Sequence, residues 1–345
     1  MKKIEELVRN EIKGVVGCTE PASIAFAFSN AVRIFRTEFG TLNLENFQGN
    51  LKVSNEVYRN ASTVKVPVLK EKGILPAAAM GVFSASNTFN PFSGIDLSTK
   101  KKIKILMKSK KWLKIEKVNQ NGIFVEAEIV CGKNSVKVLI EDSHDKIKEI
   151  SVNGKKFFRQ RKQRKIALSG LGEIYQIVKK RNTVLENIVE NFLKKQGSLY
   201  ERFRYKNSFD AVKGLVEKRM DGESIEIQTI TGSGNQGIFI AVPFYEIYKK
   251  DRKKVLPAVV FSVLTQIYLT QERGRISSIC GLANKAAPSL VAGLTYYKRK
   301  NLGEIKQKMN LTEEALRGLV CEGAKRSCAL KASVCLHAVC KVEEF

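Results

Sequence analysis

Thiols carry most of the chemistry this sequence could do. Four of the seven cysteines, Cys321, Cys328, Cys335 and Cys340, fall within 320–340, VCEGAKRSCALKASVCLHAVC. A fifth, Cys280, lies forty-one residues before Cys321 in RISSICGLA, and a sixth, Cys18, stands near the N-terminus in GVVGCTEPASIA. Seven is an odd number and a small share of 345 residues, which argues against a disulfide framework. Metal or cluster ligation, a reactive thiolate, or plain burial in a core remain. Read as one helix, with Thr312 as its N-cap, the 311–340 region puts Cys321, Cys328 and Cys335 on one face, seven residues apart. Seven residues of helix rise about 10.5 Å. That is long for two thiolates on one compact cluster, so joint ligation by Cys321 and Cys328 requires an irregularity near Gly323. Cys335, His337 and Cys340 read as incidental residues of a helix face.

Cys18 precedes Thr19-Glu20-Pro21 and the run ASIAFAFSNAVRIF, with Thr19 placed to cap that helix and Pro21 in its first turn. A thiol just ahead of a helix N-terminus is expected to have a lowered pKa, because unpaired N–H groups and the helix dipole favour the thiolate. The competing reading is a small buried cysteine in a turn. Thr231-Gly232-Ser233-Gly234-Asn235-Gln236-Gly237 stands between a strand-like run and an apolar, helix-like one. Its glycines let the backbone approach a ligand, the N–H groups of a helix start suit a carboxylate or phosphate, and Ser233, Asn235 and Gln236 add side-chain donors. By itself the loop reads equally as a connecting turn. His144, one of two histidines, follows Glu141-Asp142-Ser143 between two strand-like segments, where an ordinary histidine is simply solvated.

The elements that must hold these residues are readable from periodicity. Ile4, Leu7, Val8 and Ile12 predict a helix over 1–15. Residues 49–58 predict a strand, and 65–85 a loop leading into a small-residue helix. KWLKIEKV, GIFVEAEIVC, SVKVLIED and KIKEISVNGKKFF alternate with period two, with Asn-Gly pairs at 121–122 and 153–154, which predicts an antiparallel β-meander with Cys131 at a strand end. From Gly170 onward the pattern is helical, with 253–270 a buried-type helix. The expected class is α+β. A mainly helical lobe, 1–110 and 165–345, is built from both ends of the chain, and a smaller antiparallel β lobe covers 111–160.

Composition narrows the partners. A formal net charge of +26 invites nucleic acid, and two runs, 99–117 and 154–165, are especially basic. No zinc-finger, helix-turn-helix or RNA-recognition signature accompanies them, and charge without a docking element is only the electrostatic half of that case. Nucleic acid is therefore not the expected partner. No run of eighteen apolar residues suggests a membrane span, and the charged start MKKIEELVRNEIKG reads as a helix rather than a signal peptide, so a cytoplasmic location is expected. The oligomeric state stays open, a homo-oligomer included.

Taken together and in order, GCTEPASIA (17–25), EDSH (141–144), GSGNQGI (232–238), the Cys280 segment and CEGAKRSCALK (321–331) resemble the L-cysteine desulfidase family, relatives of the iron–sulfur L-serine dehydratases. The resemblance extends over nearly the whole chain. It implies an oxygen-sensitive [4Fe–4S] lyase that converts L-cysteine to pyruvate, ammonia and sulfide by β-elimination without pyridoxal phosphate. It implies Cys280, Cys321 and Cys328 as cluster ligands and Cys18 as the base. Three protein ligands would leave one iron open as a Lewis acid for the leaving sulfur or oxygen. The candidate substrate contacts are Thr19, Glu20, His144, Ser233, Asn235 and Gln236, and the 232–237 loop is the expected carboxylate holder on its own chemistry. The chain departs from the family pattern at Val66–Gly73, where a glycine-rich loop is expected, in LANKAAPSLVAGLTYY after Cys280, and in ending at Phe345, where relatives continue. The alternatives are L-serine dehydratase-type activity, a catalytically degenerate cluster-binding relative, a pyridoxal-phosphate lyase, for which the phosphate-binding glycine cluster is missing, and a basic nucleic-acid binder.

Overall fold

The computed structural model describes residues 1–84, 86–160 and 166–344. Helix α1 (Lys2–Glu11) ends earlier than its apolar spacing suggests, because Ile12–Val16 is extended as strand β1. β-Branched Ile12, Val15 and Val16 suit a strand, and β1 finds an antiparallel partner more than two hundred residues away in β8 (Glu226–Ile230). That partner is invisible to local periodicity. Helix α2 (Thr19–Phe39) follows at once and is buried on nearly every face.

Strand β2 (Phe47–Ser54) leads into α3 (Asn55–Thr63), which is capped by the Ser54 hydroxyl. α4 (Ile74–Phe83) is the expected small-residue helix, and Gly81 lets it lie directly on the α2 backbone at Ala25. The basic run at 99–117 becomes α5 (Leu97–Lys108), capped by Asp96, and then β3 (Leu113–Val118). The alternating segments form β4 (Phe124–Cys131), β5 (Asn134–Glu141), β6 (Ile147–Val152) and β7 (Lys155–Arg159). The last five residues of the second basic run, 161–165, lie outside the described residues.

The expected α+β class holds, with a mixed sheet in place of a simple meander. Its order is β3-β2-β4-β5-β6-β7, and β2 enters between β3 and β4, parallel to the first and antiparallel to the second. One face carries Leu51, Val53, Val125, Ala127, Ile129, Val136, Val138 and Ile140, all buried, and α2 crosses this face over β4 and β5. The other face is polar, with pairs such as Lys137–Glu126 and Asn50–Glu128. Period two in the sequence is this division between core and solvent.

The helical part continues with α6 (Leu171–Lys179), α7 (Thr183–Arg202), α8 (Ser208–Met220), α9 (Gly234–Tyr248), α10 (Arg252–Arg273), α11 (Ala287–Tyr297), α12 (Leu302–Ala315) and α13 (Ser327–Glu344). By length and composition α10 could cross a membrane, but 83% of its apolar window is buried by the surrounding helices. It is a core helix. The single helix expected over 311–340 does not exist: 316–326 is irregular, α12 is capped by Asn301 in a reciprocal capping box with Glu304, and Thr312 is buried within it. The irregularity required near Gly323 is present, with Gly323 at φ +101°.

Candidate active site

Cys18 links β1 to α2. It occupies the N-cap position itself without a side-chain cap bond, and Thr19 is the first helical residue, which corrects the expected Thr19 cap. Cys18, Thr19 and Glu20 are all buried. The Glu20 carboxylate is their centre. Its Oε2 accepts from the Cys18 thiol at 3.1 Å and the Thr19 hydroxyl at 3.2 Å, and its Oε1 accepts from the Asn60 amide of α3 at 2.8 Å. His144 Nε2 stands 3.7 Å from the same Oε1. Burial works against the charge on Glu20, but the neighbouring imidazole, then Asn60 and Cys18, outweigh it and hold the carboxyl well below the usual range.

The thiol goes the other way. Burial first, and the Glu20 charge second, push Cys18 far above an ordinary thiol, against a lowering by Arg219. The lowered pKa expected from the helix N-terminus is overturned, because desolvation of a thiolate in this interior exceeds the pull of the helix end. In the resting protein Cys18 is a thiol that gives its proton to a hydrogen bond with Glu20.

His144 does not sit in solvent. It is 5% exposed and neither ring nitrogen has a hydrogen-bond partner. The β5–β6 tip that carries it is pinned to β1 by the Lys13–Asp145 ion pair. Gly232, at φ +80°, lets the imidazole approach, since a Cβ there would lie 2.7 Å from His144 Nδ1. Three separated motifs, GCTEP, EDSH and GSGNQG, thus meet at one place.

Within the glycine loop the side chains have internal partners. Ser233 caps α9 by accepting from Gln236 N, and Gln236 Oε1 accepts from Gln266. Asn235 Oδ1 accepts from Arg219 Nη1 at 2.7 Å, and Arg219 Nε donates to Gly17 O at 3.1 Å. Arg219 was missed by sequence reasoning, yet a signal existed. It falls on the buried face of α8 with Val212, Leu215 and Val216, where a charge is unusual. The altered 66–73 loop packs its Pro67 against Gly17. It keeps left-handed backbone at Val68 (φ 67°) and Lys70 (φ 57°), conformations that ordinarily favour glycine.

The cysteine segments are joined by a short antiparallel bridge. Cys280 N donates to Leu319 O at 2.9 Å and Cys321 N to Ser278 O at 2.7 Å. Cys328 lies in the first turn of α13, its thiol 3.7 Å from Gly323 O. Helix α3 holds both segments: Arg59 Nη2 donates to Ser277 O, and Thr63 Oγ1 donates to Ala324 O. Asn60 is another residue that sequence reasoning missed. Its Nδ2 bonds Glu20, and its Oδ1 faces the Cys321 thiol at 4.0 Å, so one side chain connects the two groups. Burial raises the Cys328 thiol, as do its neighbours Cys280 and Cys321. Lys285, in a π-helical turn (Leu282–Ala286), is 1% exposed and donates to Gly274 O and Arg275 O. Burial, then Arg275 and Arg273, bring its amine down to about 8, partly offset by Cys321 and Cys280.

Among the described residues, no three His, Cys, Asp or Glu side chains converge closely enough to grip a single metal ion. Cys335 is fully buried in the core, its thiol pushed up to about 12 by burial and by Cys280. His337 packs on the Phe209 ring at 4.4 Å. A groove of about 440 Å³, lined by Ser277, Ile279, Val320 and Glu313 among others, includes neither Cys18 nor the three cysteines.

The family model described as serine dehydratase alpha chain matches residues 49–342, a range that includes His144, the glycine loop and Cys280, Cys321 and Cys328. A UPF0597 protein of Thermosipho melanesiensis is 30% identical, covering 95% of this chain and 85% of its own length. UPF0597 proteins of Thermosipho africanus and Clostridium perfringens are 29% and 27% identical over 95% and 94% of this chain and 85% and 83% of their own. With the matched range covering most of the chain, the protein belongs to the serine dehydratase alpha chain family.

Proposed function

We propose that the protein is a [4Fe–4S]-dependent lyase that removes hydrogen sulfide from L-cysteine by β-elimination, leaving pyruvate and ammonia. The observation that carries this reading is the Asn60 link, which sets the Cys18–Glu20–His144 group beside the Cys321 thiol. The cysteine set suits such a cluster. Cys280, Cys321 and Cys328 are free thiols, two of them half-buried, on segments held by α3, and a cluster spans more than the single ion that no group among the described residues could grip. Cys280, Cys321 and Cys328 would hold it, and when bound it would supply an open iron as Lewis acid for the departing group.

The rest of the chemistry belongs to side chains. Cys18 in its thiolate form takes the substrate α-proton, which returns it to the thiol that is hydrogen-bonded to Glu20 and oriented by it. His144 lies against Glu20 and stabilises its charge when protonated. The Cα electron pair forms the Cα–Cβ double bond as the Cβ–S bond breaks. Sulfide leaves, and the aminoacrylate hydrolyses to pyruvate and ammonia. Burial of Cys18 and Glu20 keeps bulk water from competing for these protons.

The family's description names serine, and the same proton handling would release water from L-serine. Anaerobic purification, iron and acid-labile sulfide analysis, and parallel assays on L-cysteine and L-serine test both. About four irons per chain with sulfide release supports the reading. Pyruvate from L-serine alone transfers it to dehydration, and a full cluster without turnover of either makes the protein a degenerate relative.

A further inference from the structure

Arg219 is a buried charge that the scheme above leaves unused, and unlike Lys285 it keeps a nitrogen without a partner. It is 2% exposed. Its Nε is committed to Gly17 O and its Nη1 to Asn235 Oδ1, while Nη2 is buried without any hydrogen-bond partner. No carboxylate lies within ion-pair distance of it among the described residues. Glu217 and Asp221, the acidic neighbours on and just past α8, pair instead with Arg326 and Lys65. The buried carboxylates Glu190 and Glu343 are compensated: Glu190 has Arg252, Lys194 and Tyr248, and Glu343 has Lys298 and Thr295. A desolvated guanidinium with an empty nitrogen and no counter-charge calls for an anion.

The residues that Arg219 ties together say where that anion belongs. Gly17 adjoins Cys18, and Asn235 belongs to the glycine loop, so the guanidinium stands between the thiol and the loop. Gly234 makes room for it, since a Cβ at that position would lie 2.7 Å from Arg219 Cζ. The loop side chains expected to bind a carboxylate are engaged elsewhere: Ser233 caps α9, Gln236 is held by Gln266, and Asn235 orients the arginine. We propose that Arg219 binds the α-carboxylate of the substrate through its free Nη2, with Asn235 as the positioning residue that holds the guanidinium. This rests on the reading that the Cys18–His144 region accepts an amino acid.

The test is equilibrium binding to the full-length protein, by anaerobic titration calorimetry, of 3-mercaptopropionate, which has the carboxylate without the amine, and of cysteamine, which has the amine without the carboxylate. Wild type should bind 3-mercaptopropionate and discriminate against cysteamine. Arg219→Gln should weaken 3-mercaptopropionate about 100-fold, and Arg219→Lys, which keeps charge but loses the planar fork, about 10-fold. In the reconstituted enzyme the same substitutions should raise KM far more than they lower kcat. If Arg219→Gln fails to fold, the wild-type pair still decides, because cysteamine binding as tightly as 3-mercaptopropionate overturns the proposal. Absence of binding by 3-mercaptopropionate, or binding unchanged in Arg219→Lys and Arg219→Gln, overturns it too. Arginine-dependent binding in a protein that turns over neither amino acid keeps the carboxylate site and rejects the lyase reading. Turnover with unaltered KM in the variants does the reverse.

Discussion

The two groups joined by Asn60 are built differently. Around Glu20, every named side chain is buried, and the carboxylate collects three hydrogen bonds from α2 and α3. Around the cysteines, Ile279 and Val320 of the bridge are 51% and 55% exposed, and the thiols of Cys321 and Cys328 have only long contacts at 4.0 and 3.7 Å. The first group is organised by folding itself. The second is held by a few backbone bonds and by α3. The Glu20 group is thus preorganised by hydrogen bonds among buried side chains, whereas the Cys321 and Cys328 thiols lack such short bonds.

The sharpest way to break this contrast is to remove one thiol from each group. Cys18→Ala should retain iron and lose about 10²–10⁴-fold in turnover. Cys321→Ala should lose both iron and turnover, with an apoprotein melting temperature close to wild type. Iron loss in Cys18→Ala, or iron retention in Cys321→Ala, would erase the division.

Lys285 sharpens the contrast on the cysteine side. Its amine lies at about 8, below the ordinary 10.5, so between those values the unfolded chain binds more protons than the folded one. Wild type therefore gains stability as pH rises through that window, by roughly 2–3 kcal/mol at most. Lys285→Met should lack the gain. The buried Cys18 and Cys335 thiols, raised in the folded protein, oppose it at alkaline pH in both proteins and cancel in the difference. Denaturant midpoints at pH 7.5 and 10 measure it, and parallel pH curves for the two proteins would refute the assignment.

Two glycines give a smaller contrast. A side chain at Gly237 would strike the Gln228 carbonyl under the glycine loop, and Gly237→Ala should cost about 1–3 kcal/mol in urea unfolding. At Gly323 a Cβ would meet Thr63 Oγ1 at 2.8 Å and Arg59 O at 2.9 Å, in a backbone at φ +101°. Gly323→Ala should push the Cys321–Cys328 segment off α3, and iron content should fall further than stability. The least effect is expected at the exposed bridge, where Ile279→Ser should stay within about 0.5 kcal/mol of wild type. A larger loss there would mean that the bridge is a folded core element after all.

Much of this was written locally in the chain. Alternation from 113 to 159 became strands because a sheet with one buried face repeats every two residues, whatever lies beyond it. The break near Gly323 followed from helix rise and the seven-residue cysteine spacing. The glycine loop became the start of α9 because Ser233 can cap it. By contrast, local periodicity makes β1 part of a helix since its strand partner is distant, and β2 enters the sheet from outside the predicted meander for the same reason. The protonation of Cys18 inverted the expectation because burial, a property of the assembled molecule, outweighed a local dipole. Asn60 and Arg219 belong to no motif, and tertiary packing alone brings Asn60 between Glu20 and Cys321 and Arg219 between Gly17 and Asn235. The sequence determined which residue types are present and which short segments carry them. Only the fold decided which of them meet and which are stripped of water, because both depend on contacts between segments far apart in the chain.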